Sequence, residues 1–67
     1  MTASEVEALL RRYGFVMISQ RGSHRKWCHP AQRLQVIVPL HRGRPLPIGT
    51  LHTILTGAEI PEDEWHA

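Results

Sequence analysis

Apolar residues recur along this chain at two different periods. Val6, Leu9, Leu10 and Tyr13 follow the i, i+3, i+4, i+7 spacing of one helical face. Ser4 with Glu7 reads as a capping box at the start of that helix, and Thr2 with Glu5 is a competing one. Arg11 and Arg12 suit the helix dipole at its far end, and Gly14 supplies a left-handed cap. The period then drops to two. Phe15, Val16, Met17 and Ile18 are β-prone and predict a strand that continues through Ser19, Gln20 and Arg21. Gly22 and Ser23 predict a tight hairpin turn, with glycine supplying positive φ at low cost. A second strand follows over residues 24–29, a turn at Pro30, Ala31, Gln32 and Arg33, and a third strand over residues 34–38 closed by Pro39. Residues 40–48 are irregular, because Pro45 and Pro47 forbid ladder bonding. Thr50 is the expected cap of a second helix, whose Leu51, Ile54, Leu55 and Ala58 share one face. Pro61 begins a last acidic turn that runs to Trp65.

The order is α-β-β-β-α, an α+β fold in one domain spanning residues 1–67. Two amphipathic helices and a three-stranded antiparallel sheet have one economical arrangement, with both helices on one face and the other face in solvent. Alternation sorts the second strand: Arg25, Trp27 and His29 share one side, His24, Lys26 and Cys28 the other. Trp27 is the core candidate, so His24 and Lys26 are expected on the open side.

Charge sharpens this picture. The formal net charge is only +2, yet residues 8–58 contain no Asp or Glu. All seven Arg, Lys26 and four of the five His (His24, His29, His41 and His52) lie in that span. The carboxylates sit at the ends, at Glu5 and Glu7 and then at Glu59, Glu62, Asp63 and Glu64. A wholly basic middle suits a polyanion. Small size adds a second constraint: a chain this short buries about 60% of its unfolded surface, so a partner protein would add to its stability. One cysteine forms no internal disulfide, and a reducing cytoplasm is the expected compartment. No apolar run is long enough to span a bilayer, and the polar opening with Thr2, Ser4 and Glu5 predicts no secretory leader.

Among the histidines, His24 follows the hairpin turn inside the basic span, where chemistry on a polyanion is best placed. An imidazole exchanges protons near neutral pH, its reference pKa being about 6.5. Nearby cations would hold a phosphodiester and balance charge in the transition state. If the substrate is RNA, a base that takes the ribose 2′-OH proton permits cleavage without metal or other cofactor. The candidate RNA contacts are Gly22 and Ser23 of the turn, with Arg21, Arg25, Lys26, Arg42 and Arg44 around it. A second group to protonate the leaving oxygen would come from His29, His41, His52 or Lys26, among which the sequence does not choose. No metal site is expected, because Cys28 is the only thiol and the histidine spacing matches no zinc finger or ribbon. Trp27 and Trp65 are read as packing residues rather than base-stacking ones.

The run Gly22, Ser23, His24, Arg25, Lys26, Trp27, Cys28, His29, Pro30 resembles the HicA family of toxins. That family has a helix, a Gly-Ser-His turn, two variable residues, an aromatic, one residue and often His-Pro. A valine-rich strand ending at Pro, then a loop and a Gly-Thr-Leu that opens the last helix, follow, here Val36, Ile37, Val38, Pro39 and Gly49, Thr50, Leu51. Tyr13, Gly14 and Phe15 match the family's glycine followed by an aromatic. The resemblance implies a fold like that of double-stranded RNA-binding domains. It implies the toxin half of a type II toxin–antitoxin pair, an endoribonuclease that cleaves mRNA with no need of ribosomes. His24 falls on the family's catalytic histidine and Gly22 on the glycine before it. A HicB-family antitoxin would bind the toxin and cover that histidine. Two other readings stand beside it: a non-catalytic module that binds double-stranded RNA by shape and charge, and an interaction protein whose basic face meets an acidic partner.

Overall fold

The computed structural model describes residues 1–65. Helix α1 spans Ala3–Arg12. Of the two possible capping boxes the Thr2–Glu5 one forms: Glu5 N–H donates to Thr2 Oγ1 at 3.2 Å, and Thr2 N–H donates to Glu5 Oε1 at 2.8 Å. The Ser4–Glu7 alternative is overturned for a physical reason. Glu7 lies on the same stripe as Ala3, Val6 and Leu10 and turns into the core, where it is 3% exposed. The other end of α1 closes as expected. Gly14 takes φ +89°, its N–H donates to Arg11 C=O at 3.1 Å, and Phe15 N–H donates to Leu10 C=O at 3.0 Å. This crossed pair satisfies carbonyls that the helix leaves open and carries Phe15 into the core beside Leu10.

Strands β1 (Val16–Arg21), β2 (His24–His29) and β3 (Leu34–Pro39) form one antiparallel sheet in the order β1-β2-β3. β2 and β3 pair without interruption, from His24 opposite Pro39 to His29 opposite Leu34. β1 carries a bulge at Ile18, between Met17 opposite Trp27 and Ser19 opposite Lys26, and recovers register to place Arg21 opposite His24. None of its six residues is buried; the apolar run that predicts this strand buries only Phe15, just ahead of it. An edge strand with a bulge resists continuing its ladder into another chain.

Helix α2 spans Ile48–Gly57. It starts two residues before the expected cap, so Thr50 sits inside the first turn and Pro47 holds the N-cap position with no side-chain hydrogen bond. The entry is set by packing instead. Leu46 is buried, its N–H donates to Met1 C=O at 2.8 Å, and Thr2 bridges Pro45. α2 ends in a second crossed pair, with Glu59 at φ +55° in the left-handed position.

Both helices pack on one face of the sheet, and between them lie Val6, Leu10, Trp27, Val38 and Leu55, all but inaccessible. A single 3₁₀ turn, Glu62–Glu64, brings the acidic tail back over the helices. Tyr13 Oη donates to Glu64 Oε1 at 3.2 Å, and Trp65 Nε1 donates to Ile60 C=O at 2.7 Å. The last two positions of that tail, 66 and 67, lie outside the described residues.

Candidate functional site

The turn between β1 and β2 consists of Gly22 and Ser23. Gly22 has φ +58° and Ser23 does not share its positive φ, the pattern of a type II′ hairpin, whose twist suits the flanking strands. A residue other than glycine at the first position would be strained. This turn sets His24 as the first residue of β2, exposed, directly opposite Arg21.

Alternation from that point decides which side chains share the open face. Arg21, His24 and Pro39 form one cross-strand row; Ser19, Lys26 and Ile37 form the next; Val16, Cys28 and Gln35 the third. None of the nine is an acid. His24 and Lys26 stand two residues apart on one strand, a separation of about 7 Å along its axis. A shallow depression of about 620 Å³ opens here, lined by Ser19, Gln20, Arg21, His24, Lys26 and Ile37. Its walls are cationic and polar with one apolar side chain, so it can hold an anionic, partly apolar group against an exposed imidazole.

Of the residues singled out from sequence, Gly22, Ser23, Arg21, His24 and Lys26 therefore gather at one end of the open face. Arg25 does not join them. It projects to the helical side, where its Nη1 donates to Glu7 Oε1 at 2.9 Å. Arg42 lies on that side too, lining a smaller hollow of about 210 Å³ with Thr2, Ser4, Glu7, Arg25 and His41. Arg44 is exposed in the same loop and lines neither hollow. The loop is nonetheless tied to the turn, since Leu40 N–H donates to Ser23 C=O at 2.7 Å.

The other histidines are sorted by their contacts. His29 packs edge-on against Phe15, with ring centroids 5.4 Å apart, and its Nδ1 accepts the Gln32 N–H at 3.1 Å, so it closes the β2–β3 turn. His52 sits on α2 against Trp65, centroids 5.1 Å apart. His41 faces the smaller hollow. Lys26 is the one candidate for a second group that shares the open face with His24. Among the described residues, no three His, Cys, Asp or Glu side chains come together as a metal-binding cluster.

Four contributors escape, wholly or in part, a reading of the sequence alone. Ile37 and Ser19 enter through register, which requires knowing where β1 bulges. Glu7 was signalled in part, being a carboxylate inside an apolar helical stripe. Gln20, at the end of a polar strand, carries no signal of its own.

Residues 3–60 match the family described as HicA toxin of bacterial toxin–antitoxin. Among curated proteins none matches the chain. The matched span runs from the start of α1 to the buried Ile60 and so contains the whole helix–sheet–helix unit, the Gly22, Ser23, His24 turn included. The chain belongs to the HicA family of toxins of bacterial toxin–antitoxin systems.

Proposed function

We propose that this toxin is an endoribonuclease acting on mRNA, with His24 as its proton-transfer group, and that it arrests translation and growth by doing so. The observation that carries this reading is the exposed imidazole of His24 between Arg21 and Lys26 on a sheet face that holds no carboxylate among the described residues. Such a face attracts the phosphate backbone and brings it against the imidazole.

In the proposed reaction Arg21 and Lys26 hold the scissile phosphate. His24 takes the proton from the adjacent ribose 2′-OH. The 2′-oxygen forms its bond to phosphorus and the bond to the 5′-oxygen breaks, leaving a 2′,3′-cyclic phosphate and a 5′-hydroxyl. The Lys26 ammonium supplies the proton that the leaving 5′-oxygen needs. The steps use only side chains of this chain, so the reaction proceeds with no metal and no cofactor. Ile37 and the methylene stem of Lys26 offer an apolar floor for a neighbouring base.

Membership of the family implies an antitoxin partner. We assign a HicB-family protein to that role and the open face as the surface it covers, since covering His24 would silence the chemistry. No helix of the described chain is long and apolar enough to cross a membrane. A toxin that meets mRNA acts in the cytoplasm.

The test is cleavage of a defined RNA in EDTA by the wild-type protein and by His24→Ala, with circular dichroism on both. Cutting by the wild type alone, with both folded, is the expected result. Equal cutting by the variant would remove His24 from the mechanism. Salt-dependent RNA binding by both with no cutting by either would instead make the protein a binding module.

A further inference from the structure

A continuous series of hydrogen bonds runs from the core to the tip of the hairpin that carries His24. It begins at Glu7, 3% exposed, whose Oε2 accepts the indole N–H of the buried Trp27 at 2.9 Å. Its Oε1 accepts Arg25 Nη1 at 2.9 Å. Arg25 Nε in turn donates to Gln20 Oε1 at 3.2 Å, and Gln20 Nε2 donates to the backbone carbonyl of Gly22 at 2.9 Å. We propose that Glu7, Arg25 and Gln20 are positioning residues for the His24 turn, tying it to the core on the helical side through Gln20 at the sheet edge. The proposal rests on the ribonuclease reading for its catalytic consequence, and on these contacts alone for the anchoring.

Donor and acceptor polarity makes the series directional. The ionised carboxylate only accepts, so Arg25 must donate at that end. The guanidinium has no acceptor, so it donates again to Gln20, which leaves the amide nitrogen facing Gly22. The fork of arginine holds both partners in a fixed geometry, which the point charge of a lysine does not. A second tether takes the next carbonyl, where Leu40 N–H donates to Ser23 at 2.7 Å. Both peptide carbonyls ahead of His24 are thus tied, one to the core through three side chains and one to the basic loop.

A hairpin needs none of this simply to reverse direction, because Gly22 already supplies the required φ. Catalysis asks more: placement errors of an ångström at a reacting group cost orders of magnitude in rate. Arg25 is therefore a support for the site on the far side of the sheet rather than a phosphate contact.

Gln20 is the residue to change, since it is exposed and its loss leaves the core pair of Glu7 and Trp27 untouched. The full chain would be compared with Gln20→Leu, which removes both hydrogen bonds, and with Gln20→Glu, which can accept from Arg25 but has no donor for Gly22. Amide exchange at His24 and at Leu40, whose N–H is bonded to the Ser23 carbonyl, and steady-state cleavage of an RNA oligonucleotide would be read together. Both variants are expected to exchange about tenfold faster at these amides and to lose about tenfold in kcat at unchanged KM. Exchange and kcat at wild-type levels in Gln20→Leu would overturn the proposal, as would a raised KM with kcat intact, which would make Gln20 an RNA contact. Full activity in Gln20→Glu would equally overturn it. A folded wild-type protein that cuts no RNA overturns the ribonuclease reading instead, and the exchange rates then decide the anchoring by themselves.

Discussion

Trp27 donates its indole N–H to Glu7 at 2.9 Å, and the two side chains are 1% and 3% exposed. The pair explains how a carboxylate can occupy the core of so small a protein. Both its oxygens are engaged, and among the described residues no buried side-chain nitrogen or oxygen lacks a partner. Arg11 lies over the indole, its guanidinium carbon 4.9 Å from the Trp27 ring centroid. Glu7→Ala strands the indole N–H and is expected to lower the unfolding free energy by about 2–3 kcal/mol. Glu7→Gln keeps an acceptor for the indole and loses only the pairing with a partly exposed Arg25, at a cost of about 1 kcal/mol. Urea unfolding of the two variants checks this; equal losses would show that the indole bond contributes nothing.

The two helix ends share one geometry but not one residue type. Gly14 occupies the left-handed position after α1 and Glu59 the same position after α2. A Cβ on Gly14 would stand 2.8 Å from His29 Nε2, in addition to the strain of its φ. Gly14→Ala is therefore expected to destabilise by at least about 2 kcal/mol. Removing the obstructing ring in a Gly14→Ala, His29→Ala double variant should recover part of that loss. Glu59→Gly relaxes strain and should stabilise by about 0.5 kcal/mol, since glycine also adds freedom to the unfolded chain. Thermal unfolding of the variants tests both signs, and a neutral Gly14→Ala would sink the steric argument.

These ends also show what could be read in advance. Gly14 announced itself by type, because glycine is the usual residue for a left-handed cap, whereas Glu59 in the same role carried no such mark. The element order and the inward Trp27 followed from periodicity, which local sequence records. The placement of His24 and Lys26 on one face followed from alternation within a single uninterrupted strand. Arg25 is the instructive departure. Charge alone put it with the phosphate-binding cations, while the same alternation that buried Trp27 also sent Arg25 toward the helices. Its partner Glu7 lies eighteen residues away in sequence, and pairing at that range depends on how α1 lies on the sheet. The early start of α2 has a similar cause, being set by the tertiary hold on Leu46 rather than by a cap.

Stability should depend on pH at both extremes through Glu5 and Tyr13. The Glu5 carboxylate accepts the Thr2 backbone N–H and then its hydroxyl, which holds its pKa below the ordinary value. A lowered pKa in the folded state adds stability that is present above the unfolded value and lost as pH falls through the folded one. The wild type should therefore exceed Glu5→Gln in stability near neutrality, and the gap should close on acidification. Tyr13 behaves in the opposite sense. Burial of its phenol, and next the charge of Glu64, raise its pKa. Its contribution is complete below the ordinary phenol value of about 10 and is lost as pH rises through the folded value. Tyr13→Phe should flatten the alkaline limb. Melting curves across the pH range report both effects, and parallel curves for wild type and variant would refute either assignment.

Removing a cation from the proposed RNA track should change the salt dependence of binding, whereas removing one that serves the fold should not. For single-stranded RNA, each phosphate that a variant no longer neutralises lowers the slope of log K against log salt by about 0.7. Binding is best measured in the His24→Ala background, which under the proposed mechanism leaves the RNA intact. Arg21→Gln and Lys26→Gln should each reduce the slope by that amount, because both side chains line the open depression. Arg25→Gln should lower the melting temperature and leave the slope unchanged, since the guanidinium is already neutralised by Glu7 on the opposite face. Fluorescence anisotropy at several salt concentrations, kept below the melting temperature of the weakest variant, separates the two outcomes. An equal drop in slope for all three would mean that RNA wraps the hairpin and reaches the helical side. In that case Arg42, lining the hollow beside Arg25, would be the next cation to test.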